Sequence, residues 1–205
     1  MTTRDDADFY SLIAQRRSIR SYVSQPLPRD LIERLLEAAI WAPSAHNRQP
    51  WRFAAVTQPE AKQRLASEMG QRLRADRTRD GDAEDAIEAD ARRSYQRITG
   101  APCVIVVCLT MEDMDTYPDE RRSQAEYLMA VQGAALATEN LLLAAELEGL
   151  GACWMCAPLF CQETVAGALE LPEHWLPQGL ITLGYASGHG KPPIRRPLDD
   201  MVLWR

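Results

Sequence analysis

The stretch SQAEYLMAVQGAALATENLLLAAELE, residues 123–148, decides the fold class of this 205-residue chain. Leu128, Val131, Ala135, Thr138, Leu142 and Ala145 follow one another in steps of three and four, the spacing of one helix face. The opposite side, with Met129, Leu136, Leu143 and Leu147, is apolar as well. A helix apolar on both sides is buried on both sides. It should therefore lie at the centre of the molecule. Either its own chain or a partner subunit covers the second face. Ser123 and Glu126 have the spacing of a capping box and predict the helix start. Gly149-Leu150-Gly151 stops it.

Two apolar runs flank this helix. Pro102–Thr110 (PCVIVVCLT) is nearly continuous in β-branched residues and predicts a strand buried on both faces. Gly179–Ser187 predicts a second strand, Trp51–Thr57 a third and Ala152–Pro158 an extended segment. Helices are predicted over 7–17, from Pro28 to Pro43, from Pro59 onward and over 162–169. Helices mixed with strands of this kind predict an α+β domain spanning 1–205. The charged segment 70–97 reads as two helical pieces jointed near Gly81. It is either a solvated face or a lid.

The overall balance narrows the function. With 46% hydrophobic residues the chain can bury a sizeable core. A net charge of −6 argues against a nucleic-acid partner held through its phosphates. No run reaches the apolar length of a membrane span, and the polar, acidic start MTTRDDADFY does not read as a signal or transit peptide. Five cysteines, an odd number, several in apolar surroundings, suit a reduced cytoplasmic protein.

Against that acidic background, Gln15-Arg-Arg-Ser-Ile-Arg-Ser-Tyr22 stands out. Arginine forks match phosphate or carboxylate oxygens in pairs, and serine adds a short donor. The stretch reads as half of an anion clamp or as a solvated helix end. A second basic cluster, Lys191, Arg195 and Arg196, lies in the Pro-rich tail. The loop Trp41–Trp51 gathers Ser44, His46, Asn47, Arg48 and Gln49 between two tryptophans. It suits a planar heteroaromatic ligand or is an Asx-type loop. Cys153 and Cys156 have the CxxC spacing of a redox or zinc pair, but no second ligand pair accompanies them. Two small apolar packers are the simpler reading, and no metal site is expected.

Four motifs in this order resemble the nitroreductase family of FMN-dependent oxidoreductases. They are Arg16-Arg17-Ser18-x-Arg20, Ala42-Pro43-Ser44-x-x-Asn47-x-Gln49-Pro50-Trp51, Gly149-Leu150-Gly151-x-Cys153-Trp154 and Arg195-Arg196-Pro197-Leu198. The resemblance implies a central mixed β-sheet flanked by helices and an intertwined homodimer with two FMN sites at the subunit interface. It implies that Arg16 and Ser18 hold the FMN phosphate and ribityl chain. Arg17 and Arg20 assist them, and Arg195 and Arg196 complete the clamp. Asn47 would meet the pyrimidine edge. Trp154 and Met155 would lie against the ring, with a backbone amide near Cys156 or Ala157 facing N5.

Cys156 stands where many members have an acidic residue or glycine, and Ile194-Arg-Arg replaces a common Lys-x-Arg. The implied activity is ping-pong hydride transfer from NADH or NADPH, through the flavin, to a small acceptor such as a nitroaromatic or quinone. No side chain is expected to act as catalyst, because flavin N5 carries the chemistry. The alternative is a specialised flavin protein of the same fold: a deazaflavin-biosynthesis reductase, a dehalogenase or a flavin-fragmenting enzyme.

Overall fold

The computed structural model describes residues 6–205, with side chains from Phe9 onward. The first residues of the polar N-terminal stretch, 1–5, lie outside the described residues. The elements run α1 (Asp6–Gln15), α2 (Arg29–Ala39), β1 (Trp51–Val56), α3 (Pro59–Arg79), α4 (Glu84–Thr99), β2 (Cys103–Leu109), α5 (Glu120–Leu147), β3 (Gly151–Met155), α6 (Gln162–Leu169) and β4 (Leu176–Gly184).

Strand order is β1-β2-β4-β3. The continuous apolar run becomes β2, and all seven of its residues are buried. Its side chains alternate between two cores, as the pleat requires. Cys103, Ile105, Val107 and Leu109 join α2 and α5, through Leu31, Leu35, Ala137 and Leu141. Val104, Val106 and Cys108 join α3 and α6, through Leu65, Met69 and Val165. A fully buried leucine such as Leu141 is worth about 1.5–3 kcal/mol of transfer free energy.

Pairing between the four strands is antiparallel throughout. The parallel component of the expected mixed sheet is a single bridge from Ser18 to Ala152, on the free edge of β3. β4 starts three residues earlier than expected. Leu176 and Pro177 extend the pairing to Leu109 and Cys108, and the register shifts between Val107 and Cys108. The irregularity accommodates a proline that has no N–H for the ladder.

Helix α5 begins before the expected capping box. Asp119 is the cap, accepting from the Arg122 amide at 3.0 Å. Ser123 instead donates back to the Asp119 carbonyl at 3.0 Å. Gly149 ends the helix region with φ of 71°, a left-handed value that glycine adopts without strain.

The faces of α5 also divide differently from the sequence reading. Ala130, Ala134, Ala137, Thr138, Leu141, Leu142 and Ala145 are buried, whereas Leu128, Leu136 and Leu147 are exposed. By length and composition α5 could cross a bilayer, which the sequence reading did not anticipate. Its buried face packs on the sheet instead, as in the core helix of a globular domain.

Candidate functional site

The arginine turn sits where it does because β3 has a free edge. The Ile19 amide donates to the Ala152 carbonyl at 2.9 Å. Ile19 is buried over Gly151, where a Cβ would lie 2.6 Å from Ile19 Cγ2. Any side chain at 151 would push the turn away. Tyr22 closes the other end. Its hydroxyl lies 2.6 Å from the Ile19 carbonyl and 2.7 Å from Thr182 Oγ1. Burial pushes the Tyr22 hydroxyl well above its usual pKa, so it is a permanent neutral hydrogen-bonding post.

The C-terminal tail then runs back along the turn. The Val23 amide donates to Tyr185 O at 2.8 Å, and the Ser187 amide to Ser21 O at 3.2 Å. Gly190 presses against Arg17: a Cβ there would lie 2.4 Å from Arg17 Cβ. Between the two segments lies an open cleft of about 490 Å³. Arg16, Arg17, Ser18 and Arg20 line one side, and His189, Gly190, Lys191 and Arg195 the other.

The electrostatics of this cleft are one-sided. Arg17 donates to the carbonyls of Ala14 (2.6 Å) and Arg16 (2.9 Å), and Arg20 to that of Ser18 (3.3 Å). These bonds orient guanidiniums without neutralising them. Glu139 approaches Arg16 at 3.8 Å, and it is the only carboxylate among the described residues that pairs with a cleft cation. Four arginines and a lysine facing one space with one distant acid repel each other, and a polyanion relieves that repulsion.

The other sequence-predicted residues lie elsewhere. Arg196 does not line the cleft, although Arg195 does. Trp154 is half-buried, with its indole over Gly179, where a Cβ would come within 2.3 Å of the ring. Met155 points to the opposite side of the sheet, against the α3–α6 core. Cys156 is exposed and precedes the short 3-10 turn Ala157–Phe160.

Asn47 is exposed on its own loop. That loop is strained: His46, Asn47 and Gln49 have φ of 49°, 54° and 50°. Three non-glycine residues in the left-handed region within four positions are uncommon, and such strain collects at functional sites. It is held by the Gln49 amide donating to Ser44 Oγ at 2.9 Å and by an ion pair between Arg48 and Asp115.

All five cysteines are free thiols. Burial raises the pKa of Cys153, with nearby Arg20, Arg97 and Ser18 opposing it only in part. No group of His, Cys, Asp or Glu among the described residues is placed to hold a metal ion. The charged segment 70–97 forms the facing ends of α3 and α4, joined by Arg74–Glu88 and Arg77–Asp90 pairs at 2.5 and 2.6 Å.

Sequence reasoning passed over His189 and the two glycines beside it. Gly188-His189-Gly190 just ahead of a basic cluster was the available signal. It marks backbone that can approach another chain segment closely.

The model of the nitroreductase family matches residues 13–185, which include the arginine turn, the Asn47 loop and the whole sheet. The chain belongs to the nitroreductase family. An NADH dehydrogenase of Thermus thermophilus is 32% identical to it over 215 aligned positions, covering 93% of each chain. A solved structure from Desulfovibrio desulfuricans, named a nitroreductase in complex with FMN, is 27% identical with a TM-score of 0.73. That match covers 100% of this chain and 98% of the other. A nitroreductase-like family protein from Bacillus cereus has the same fold at 20% identity, with a TM-score of 0.73, covering 100% of this chain and 98% of the other. This nitroreductase-family chain thus shares its overall fold with those structures along its whole length.

Proposed function

We propose that this nitroreductase-family protein is an FMN-dependent NAD(P)H oxidoreductase acting on a small acceptor such as a nitroaromatic or quinone. The observation that carries the reading is the cleft of convergent, weakly paired cations. The terminal phosphate of FMN carries close to two negative charges, and the donors present fit it. Arg16, Arg17, Arg20, Lys191 and Arg195 supply charge, Ser18 supplies a hydroxyl, and the Gly190 contact lets the tail lie close to the turn. The chemistry that FMN supplies when bound is two-electron hydride acceptance at N5 from a reduced nicotinamide, and its return to the acceptor.

The chain's own part is binding and exclusion of water. Arg16 and Ser18 hold the phosphate and ribityl end, with Arg195 closing the clamp from the tail. Arg17 and Arg20 support them. Trp154 and the backbone around Cys156 offer a wall at the end of β3, whereas Met155 faces the α3–α6 core and supports that strand from behind. Asn47 offers an amide that both donates and accepts, which suits the pyrimidine edge.

The protein acts as a homodimer in this reading. Leu128, Leu136 and Leu147 form an exposed apolar stripe on α5. Phe9, Tyr10 and Ile13 on α1 are exposed too, as are Ile194, Leu198, Leu203 and Trp204 in the tail. A second copy packed on these surfaces would bury them and bring its own Asn47 loop toward this cleft.

The test is direct. Purified protein should be yellow with bound FMN, and should oxidise NADH or NADPH when a quinone or nitroaromatic is added. Arg16→Ala should weaken FMN binding about tenfold or more, from the loss of a charge-assisted contact of roughly 1.5–3 kcal/mol. A colourless protein whose apo form binds no FMN would overturn the proposal. Bound FMN without turnover would favour the specialised flavin protein.

A further inference from the structure

We propose that Glu126 is a positioning residue for the strained His46–Gln49 loop, acting through the backbone of Asp115 and the Asp115–Arg48 ion pair. Glu126 is 1% exposed in the second turn of a helix whose buried face is otherwise almost all apolar. One carboxylate oxygen accepts from the Asp115 amide at 3.1 Å. The other meets no hydrogen-bond donor among the described residues. A carboxylate held there with half its capacity unused is unfavourable for the fold taken alone. Its one partner is therefore where its role lies.

That partner leads to the loop. Asp115 pairs through its side chain with Arg48, the residue between Asn47 and Gln49. The neighbouring Met114 is buried in the same core and anchors the segment. A second tie runs in parallel, with the Thr110 amide donating to the Pro50 carbonyl at 2.9 Å.

Helix α5 also supports the loop directly. Glu126 and Gly133 lie two turns apart, on one stripe of the helix. At Gly133 the helix has no side chain, and a Cβ would sit 3.3 Å from Pro50 Cγ and 3.5 Å from Ser44 Cβ. Both ends of the loop, Ser44 and Pro50, thus rest on Gly133, while Arg48 in its middle is drawn toward the Glu126 end. A loop with three left-handed residues relaxes unless it is over-determined in this way. The inference rests on the reading that Asn47 meets the pyrimidine edge of FMN, because that contact needs a fixed amide.

The experiment is hydrogen–deuterium exchange of residues 44–50 in the apo-protein, with FMN affinity measured alongside. Glu126→Ala and Arg48→Ala should each speed exchange of this segment about tenfold. The double variant should be no faster than the faster single variant, because both break one relay. Glu126→Gln, which keeps an acceptor oxygen for the Asp115 amide, should restore slow exchange. Asp113→Ala removes the neighbouring pair to Arg52 and should leave the segment unchanged.

FMN affinity should fall in step with exchange. If exchange rises while affinity holds, the relay stands and the Asn47 contact with FMN falls. Wild-type exchange in Arg48→Ala would overturn the inference, even if Glu126→Ala does not fold. So would a Gln variant no slower than Ala.

Discussion

Gly190→Ala tests how the tail and the arginine turn share one site. A Cβ at 190 would lie 2.4 Å from Arg17 Cβ, 3.1 Å from Arg17 Cγ and 3.2 Å from Ile19 Cδ1. Carbon atoms in contact stay roughly 3.5–4.0 Å apart, so the tail must retreat by about 1.1–1.6 Å. Arg17 Cβ cannot yield, because it belongs to a backbone bridged to β3. The tail around 190 is half-exposed and carries no buried side chain, so folding suffers little. Phosphate binding suffers more, because Lys191 and Arg195 retreat with the tail. A charge-assisted hydrogen bond is worth roughly 1.5–3 kcal/mol. Losing one by displacement should weaken FMN binding about 10- to 150-fold. The assay is titration of apo-protein with FMN, followed by quenching of flavin fluorescence, with the Tm of each apo variant alongside. Gly188→Ala is the internal control: a Cβ there meets nothing within 4 Å, and its affinity should match the wild type. An unchanged affinity in Gly190→Ala would refute the shared clamp, as would equal losses in both variants.

Two further predictions concern the rest of the molecule. Glu88 is held below its ordinary pKa of 4.5, first by the hydrogen bond from Arg74. A depressed carboxylate contributes stability above its unfolded pKa and loses it as pH falls through the folded value. Glu88→Gln should therefore lower the Tm at pH 7, by no more than about 2 °C for so exposed a pair. The gap should close as pH falls through the lowered folded value and narrow in high salt; a gap that persists in strong acid would refute the pairing. The thiols should also separate. Burial pushes Cys103 and Cys108 up to about 12 and raises Cys153 and Cys161, whereas Cys156 is exposed. A disulfide reagent at pH 7.5 should modify one thiol per chain rapidly, and Cys156→Ser should abolish that phase.

The layers of the fold were legible in the sequence because their signals are local. The β-branched run 102–110 could only be a doubly buried strand, and its alternation between two cores followed from the pleat. Helix ends were less legible. Ser123-x-x-Glu126 satisfies the capping pattern, yet Asp119 lies just upstream and captures the role. The start of β4 was misplaced because pairing with Leu109 and Cys108 reaches back across Pro177.

The candidate site divides along the same line. Residue chemistry alone determined that the arginine turn, the basic tail and the Asn47 loop carry the unusual polar groups. It also determined the four-motif order that marks the family, because those are statements about neighbours in the chain. Only the tertiary structure decided that Arg195 rather than Arg196 faces the cleft, and that Asn47 lies apart from it in the same chain. It also decided that a buried glutamate on α5 connects through Asp115 to the loop. Those facts depend on the free edge of β3, on the close approaches at Gly151 and Gly190, and on two loops crossing one helix. They are contacts between segments up to about 170 residues apart, and no local spacing encodes them.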